Sequence, residues 1–551
     1  MRSLPHCLQE MVDIASFAVG EVRMLHRSIL ICSLLASPAV QSNPAQAVGC
    51  DIEHVASTVN PRAQVHIESA TLVAAAGPVA AHCAVSGYIE HGTRIGFTLG
   101  LPQQWNRKFL FLGVGGFAGI PAPLDGGVAR GYATASTDTG HKGTSVEDAT
   151  WALNNPAAII NHYESSIELT TQALKQLTSA YYGTLPAHSY FQGCSAGGRQ
   201  GIVQAERFPT SFDGIIAEAP AWSYAKLLTT FVENAKQILE SPGNWVPPDA
   251  FRQVDRVVMK QCDKLDGVED GIIEDPRVCK PDLRELACKP GAHTPSCLTP
   301  AQVNILTKLQ HAGFARGRPG YYGYYLTGSD RSDMSWGWSE WFFGTLPPLA
   351  DATGKLNFPG DVLPAGADRG KGPNQFILGE QFFRYFVMSD PHYDARTFNI
   401  ERDAQKLQTR LGNVLDADDT DLGPFVRSGG KLLIWHGWSD SAIPPQMAIE
   451  LYTHILKDTR QPLTHDPVDR AVRLFMVPGM QHCGGGTGLT DFDALSAMEH
   501  WVEQGHAPER IDAWQRIAGK RVRSRPLCPY PQTPHYRGSG NSDAASNFDC
   551  K

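Results

Sequence analysis

Gly193-Cys194-Ser195-Ala196-Gly197 places a serine between two glycines at the spacing of a strained strand-to-helix turn, the turn that lifts a hydroxyl above the edge of a sheet. The glycines belong there because the backbone passes close to itself and leaves no room for Cβ atoms. A serine hydroxyl is a weak nucleophile. It reacts only beside a base that takes its proton, with a third group orienting that base. Among the 19 histidines, His482 in Pro478-Gly479-Met480-Gln481-His482-Cys483 and His436 are the rivals for the base. Asp440, in Trp438-Ser439-Asp440, is the acid candidate. His436 precedes this acid, so the chain order serine, acid, histidine selects His482. Gly113-Val114-Gly115-Gly116-Phe117 supplies a glycine loop after an early strand. It lacks the lysine of a phosphate loop, whereas backbone N–H groups at Gly115 or Gly116 suit an oxyanion.

Elements able to hold these groups follow from periodicity. Residues 65–88 and 94–101 alternate apolar with polar and read as strands. Residues 109–112 (FLFL) are apolar throughout, as in a strand buried on both faces. Residues 132–138, 215–220, 431–435 and 472–477 are further strands, and apolar residues at Ile167, Leu174 and Leu177 make 161–182 a helix. Ser195 then ends one strand, Asp440 follows the strand 431–435, and His482 follows the strand 472–477. Strands alternating with helices predict an α/β fold, a doubly wound and mainly parallel sheet.

Between residues 224 and 430 the rhythm is lost, and Tyr321, Tyr322, Tyr324, Tyr325, Trp336, Trp338, Trp341, Phe342 and Phe343 accumulate. This stretch reads as an inserted lid, whose rings either cover a planar substrate or fill the lid's own core. Within it, Asp263, Asp266, Glu269 and Asp270 crowd one loop with Gly267 and Gly271. Hard oxygen donors at that density suit Ca²⁺, although the spacing is not that of an EF-hand. Arg384, in Phe382-Phe383-Arg384-Tyr385-Phe386, is a candidate to hold a substrate carboxylate bidentately, the alternative being an ion pair inside the lid.

With 551 residues and 42% hydrophobic content, the chain exceeds one ordinary domain. A net charge of −8 without a basic patch excludes nucleic acid as a partner. Met24-Leu25-His26-Arg27, a short apolar run at 28–35 and Ala45-Gln46-Ala47 resemble a signal peptide behind an upstream extension, together residues 1–47. The run is far below the ~18 residues that would span a membrane. Removing Cys7 and Cys32 from the 12 cysteines leaves 12 − 2 = 10, an even number suited to disulfides in a secreted or periplasmic protein. Clustering suggests Cys50 with Cys83, Cys262 with Cys279, Cys288 with Cys297 and Cys528 with Cys550. Cys194 and Cys483 remain, and a Ser195–His482 contact would bring them within disulfide reach. Cys194 as a thiolate nucleophile would instead need that thiol free.

Taken together, Gly-Cys-Ser-Ala-Gly-Gly at 193–198, Trp438-Ser439-Asp440, Gly479-Met480-Gln481-His482-Cys483 and the acidic loop from Cys262 resemble the tannase and feruloyl esterase family, which includes hydrolases of mono(2-hydroxyethyl) terephthalate. The resemblance implies an α/β-hydrolase fold with the catalytic domain in 48–223 and 431–551 and the lid in 224–430. It implies a triad of Ser195, Asp440 and His482, a Cys194–Cys483 disulfide, and an oxyanion hole from Ala196 with Gly115 or Gly116. Lid calcium would be held by Asp263, Asp266 and Asp270 with the carbonyls of Val268 and Ile272. Ile443, on the loop of the acid, joins Arg384 as a candidate substrate contact. The expected substrate is a small ester of an aromatic acid, with neither nucleic acid nor membrane as partner. A binding protein that has lost turnover on the same scaffold is the reading from another class.

Overall fold

Short apolar runs become the middle of a nine-stranded sheet in the computed structural model of the chain, which describes residues 49–57, 64–289, 297–311, 322–328, 337–358, 372–459 and 468–551. The leader expected at 1–47, and Tyr321 and Trp336 of the aromatic stretch, lie outside the described residues. The strands are β1 (Val65–Val73), β2 (His82–His91), β3 (Thr93–Pro102), β4 (Lys108–Leu112), β5 (Ala133–Thr137), β6 (His188–Cys194), β7 (Gly214–Glu218), β8 (Lys431–Gly437) and β9 (Val472–Val477). Their spatial order is β1-β2-β3-β5-β4-β6-β7-β8-β9. The first three pair antiparallel, β3 meets β5 antiparallel, and from β5 to β9 every pairing is parallel. This is the α/β-hydrolase architecture, and it places β6, the strand that ends at the serine, in the middle of the parallel half.

Both faces of that half are covered, which is why its strands are apolar on successive residues. Phe109, Phe111, Phe191, Ile215, Leu432 and Ile434 share one core with Leu174 and Leu177 of helix α1 (Ser166–Tyr182) and Ile202 and Val203 of helix α2 (Ala196–Arg207). The alternate residues Leu110, Tyr190, Ile216, Leu433 and Phe475 form a second core on the opposite face. The helix expected over 161–182 starts at Ser166, because residues Asn161–Ser165 wind as a wider π turn.

From β7 to β8 the chain leaves the sheet. Helices α3 (Tyr224–Leu239), α4 (Pro248–Cys262) and α5 (Asn374–Gln381) form in this segment, with Asn234 Nδ2 donating to Gln375 Oε1 at 2.9 Å between α3 and α5. Tyr322, Tyr324, Trp338, Trp341, Phe342 and Phe343 are buried, and Trp338 stacks on Phe342 at 4.5 Å. These rings pack on one another and join the core that lies on one face of the sheet. Beyond β8 come α6 (Pro445–Asp458) and, after β9, α7 (Ala494–Gln504), whose Met498 and Trp501 close the second core. A hairpin of β10 (Ile511–Ile517) and β11 (Lys520–Leu527), not foreseen from the sequence, follows, and a short antiparallel pair of Pro534–Tyr536 with Phe548–Cys550 comes last. No helix among the described residues is long and apolar enough to cross a membrane.

Candidate active site

At the end of β6 the chain turns sharply into α2, and Ser195 takes φ 64° and ψ −122° there. A non-glycine residue in that region costs of order 1–3 kcal/mol and persists only when its neighbours hold it. They do so here through the backbone: Ser195 N donates to Glu218 O at 2.9 Å, and Ser195 O accepts from Arg199 N at 3.0 Å and Ala221 N at 3.1 Å. The glycine requirement is steric, since a Cβ on Gly193 would lie 2.7 Å from Gly197 O. Half-buried Glu218, whose carbonyl grips the serine, has its carboxyl pushed up to about 7 by desolvation, against the opposing hydrogen bond from Gln192 Nε2 at 2.8 Å.

Facing the serine turn is the loop after β9. The Cys194–Cys483 disulfide joins the residue before Ser195 to the residue after His482, with a Cα–Cα distance of 5.9 Å. His482 Nδ1 lies 2.8 Å from Asp440 Oδ2. With Nδ1–H donating to the carboxylate, Nε2 carries the lone pair a base needs. Asp440 is almost fully buried, and its other oxygen, Oδ1, accepts from the amides of Ala442 and Ile443 at 2.8 Å each. Burial opposes the charge on Asp440, but His482 and His436 outweigh it and hold the carboxyl well below the usual carboxylate range. The acid stays ionised.

The loop that carries Asp440 is gripped from the inserted segment. Tyr324 OH donates to Ala442 O at 3.1 Å, Thr327 Oγ1 to Ser439 Oγ at 2.7 Å and Gln375 Nε2 to Ser441 O at 3.0 Å. The ring of Trp341 meets the His482 ring edge-on at 5.7 Å. Sequence reasoning missed these four residues as contributors to the site, because they lie 66 to 141 residues from their partners.

Gly115 and Gly116 follow β4, next to the elbow. Gly116 has φ 57°, and a Cβ there would lie 2.2 Å from Val146 O, so only glycine fits. Ala196 begins α2, where the first amides of a helix have no partner inside the helix. These amides belong to the two loops from which an oxyanion hole would be assembled.

With this geometry in hand, comparison with known proteins decides the family. A model described as tannase and feruloyl esterase matches residues 82–551. The chain belongs to the tannase and feruloyl esterase family. It is 33% identical over 512 residues to an uncharacterized esterase of Xanthomonas campestris pv. campestris, covering 85% of this chain and 84% of that one. It is 30% identical over 542 residues to the mono(2-hydroxyethyl) terephthalate hydrolase of Piscinibacter sakaiensis, covering 88% and 87%. The crystal structure of feruloyl esterase B from Aspergillus oryzae superposes with a TM-score of 0.78 at 24% identity over 91% of this chain and 99% of that one, a likeness of fold. As a member of this esterase family, the protein is a carboxylic ester hydrolase.

Both candidate substrate contacts have partners within the protein. Arg384 Nη2 lies 2.6 Å from Glu380 Oε1, one helical turn away, and Nε donates to Tyr393 O at 2.8 Å. A guanidinium engaged in this way fits the alternative expectation, an ion pair inside the lid. Ile443 is 2% exposed, and its amide and carbonyl are bonded to Asp440 and His436, so its visible work is to hold the acid's loop.

All five cysteine pairs form: Cys50–Cys83, Cys194–Cys483, Cys262–Cys279, Cys288–Cys297 and Cys528–Cys550. Between Cys262 and Cys279, Asp263 Oδ1 accepts from Gly271 N at 2.8 Å, Asp266 Oδ1 from Val268 N at 2.9 Å and Asp270 Oδ1 from Ile272 N at 3.0 Å. The other oxygen of Asp270 pairs with Arg525 of β11. Burial, and then the charges of Asp270 and Asp263, push the Asp266 carboxyl up to about 6. Among the described residues no group of three or more His, Cys, Asp or Glu side chains is gathered as a metal site requires. The loop thus has the donor chemistry for a hard dication, three carboxylates in mutual repulsion, without their convergence on one point.

Proposed function

We propose that the protein is an exported serine esterase that cleaves esters of aromatic acids through Ser195, His482 and Asp440. The observation that carries this reading is the disulfide between the serine's turn and the histidine's loop, together with the 2.8 Å contact of His482 Nδ1 with Asp440. Ser195 Oγ attacks the ester carbonyl while His482 Nε2 takes its proton, and the amides of Ala196 and of Gly115 or Gly116 hold the oxyanion. His482 then protonates the departing alcohol. Water, deprotonated by the same nitrogen, releases the acid from Ser195. Asp440 keeps the imidazole in the Nδ1–H tautomer and balances its charge as it becomes imidazolium.

The 30% identity to a mono(2-hydroxyethyl) terephthalate hydrolase favours a second reading within the same chemistry, hydrolysis of a terephthalate monoester. Export is supported by ten paired cysteines, which persist in oxidising compartments. A fluorophosphonate should label the wild type and leave Ser195→Ala unlabelled; equal labelling removes the serine mechanism. Rates on methyl ferulate, methyl gallate and mono(2-hydroxyethyl) terephthalate then choose the acyl group, and faster turnover of an aliphatic ester would reject the aromatic preference.

A structural Ca²⁺ in the acidic loop belongs to the same proposal, held by Asp263, Asp266 and Asp270 with the carbonyls of Val268 and Ile272. Its support is the crowding of three carboxylates in one loop, where burial, and then the charges of Asp270 and Asp263, raises Asp266. The ion would neutralise the loop and stiffen the segment that grips Asp440, with no part in the acyl transfer. Chelation should lower Tm in the wild type and leave Asp266→Ala unchanged. A wild type indifferent to chelator and to added Ca²⁺ would refute the site.

A further inference from the structure

His436, the candidate base that chain order set aside, sits at the end of β8 with 0% exposure. Its Nε2 lies 3.0 Å from Ile443 O and 3.2 Å from Asp440 Oδ2. Both neighbours are acceptors, so Nε2 carries the hydrogen and shares it between them. Nδ1 is buried with no hydrogen-bond partner among the described residues.

Asp440 therefore has a donor set that fills its capacity. Oδ1 takes the amides of Ala442 and Ile443, and Oδ2 takes His482 Nδ1 and His436 Nε2. A carboxylate offers about four lone-pair sites. The same His436 hydrogen also reaches Ile443 O, so the ring bridges the end of β8 to residue 443 and closes the acid's loop around Asp440. The ring thus reaches Oδ2 from the end of β8, beside His482 Nδ1.

We propose that His436 is a positioning residue for ester hydrolysis, a donor that fixes Asp440 Oδ2 in the direction of His482. The proposal rests on the triad reading. Three variants separate its parts. His436→Gln carries an amide N–H that reaches as far as Nε2, His436→Asn one that reaches only as far as Nδ1, and His436→Leu none. A hydrogen bond to a charged group sets the scale. Leu and Asn should lower kcat about 10- to 100-fold with KM within roughly twofold, and Gln should stay within roughly threefold of wild type. The downfield proton resonance of His482 Nδ1–H should persist in Gln and be lost or moved upfield in Leu.

Folded Leu and Asn variants with wild-type kcat would overturn the proposal, and so would a Gln variant as slow as Leu or a change confined to KM. If Leu fails to fold, the comparison of Gln with Asn decides. Unfolding of all three assigns His436 a structural role and also overturns the proposal. Ser195→Ala in the same assay keeps the two readings apart. Full turnover by Ser195→Ala removes the triad and this proposal with it, whereas an inactive Ser195→Ala beside unaffected His436 variants removes this proposal alone.

Discussion

The sharpest test of the site's construction is removal of the Cys194–Cys483 bond by the double substitution Cys194→Ala, Cys483→Ala. The bond closes a loop across a sequence separation of 289 residues, which the Cys262–Cys279 and Cys288–Cys297 bonds shorten slightly. On the chain-entropy model such a closure is worth about 5.6 kcal/mol at 25 °C. Unfolding a chain of this size carries roughly 1 kcal/mol per kelvin of entropy, so Tm should fall by about 5 °C. That shift leaves the protein folded at assay temperature. Activity should fall much further than stability, because the bond holds Ser195 and His482 in register. A misplacement of about 1 Å between reacting groups costs ~100-fold in rate. The assay is kcat for ester hydrolysis measured about 20 °C below each variant's Tm, beside a thermal melt. Mild dithiol treatment of the wild type should reproduce the loss early, since Cys483 is exposed whereas Cys83, Cys262, Cys279 and Cys528 are buried. A folded double variant with wild-type kcat would refute the idea that this bond sets the distance between nucleophile and base.

Three further outcomes follow from named contacts. Asp440→Asn should reduce kcat about 10⁴-fold with the fold retained, since the imidazole loses the acceptor that sets its tautomer, and an Asn variant within tenfold of wild type would argue against Asp440 as the acid. Its carboxyl is depressed, so the stability it contributes is present above the ordinary value of 3.8 and is lost as the pH falls through the lower, folded-state value; the Tm gap between wild type and Asp440→Asn should shrink only in strong acid. Glu218 is shifted the other way, up to about 7, so its charged form disfavours the folded state once the pH exceeds the ordinary value of 4.5, with the full cost above 7. Glu218→Gln should then gain Tm relative to wild type at pH 8 and little at pH 5, and a gap independent of pH would reject the assignment. Arg384→Ala should lower stability and slow a charged monoester and a neutral methyl ester equally; a loss selective for the charged ester would restore Arg384 as a substrate contact.

The parts legible in the sequence were those governed by short-range rules. Strands buried on both faces announce themselves as apolar runs, and once residues 109–112, 188–194, 431–437 and 472–477 are strands, the loops that follow them inherit the glycines, Ser195, Asp440 and His482. Four of the cysteine pairs are also close in sequence. What escaped was long-range or conformational. The hairpin of β10 and β11 sends Arg525 back to Asp270, a contact that no local pattern encodes. For Arg384 the sequence left a substrate contact and an ion pair inside the lid both open, although Glu380 stands four residues earlier, a spacing that already signals an intrahelical pair.

The deepest miss concerns the inserted segment, which the sequence invites one to treat as a cover over a finished site. Its aromatic rings share a core with the sheet, and its polar groups at Tyr324, Thr327 and Gln375 reach the backbone and Ser439 of the acid's loop while Trp341 lies against His482. Two of the three loops that would perform the chemistry are therefore braced by the segment that would choose the substrate. Exchanging the segment to alter specificity should thus change kcat on every substrate, including ones too small to touch it. Thr327→Val tests this at a single hydroxyl: it keeps the side chain's shape and removes the 2.7 Å bond to Ser439. A uniform fall in kcat across small and large esters is the expected result. A loss that grows with acyl size would instead make the segment a cover alone.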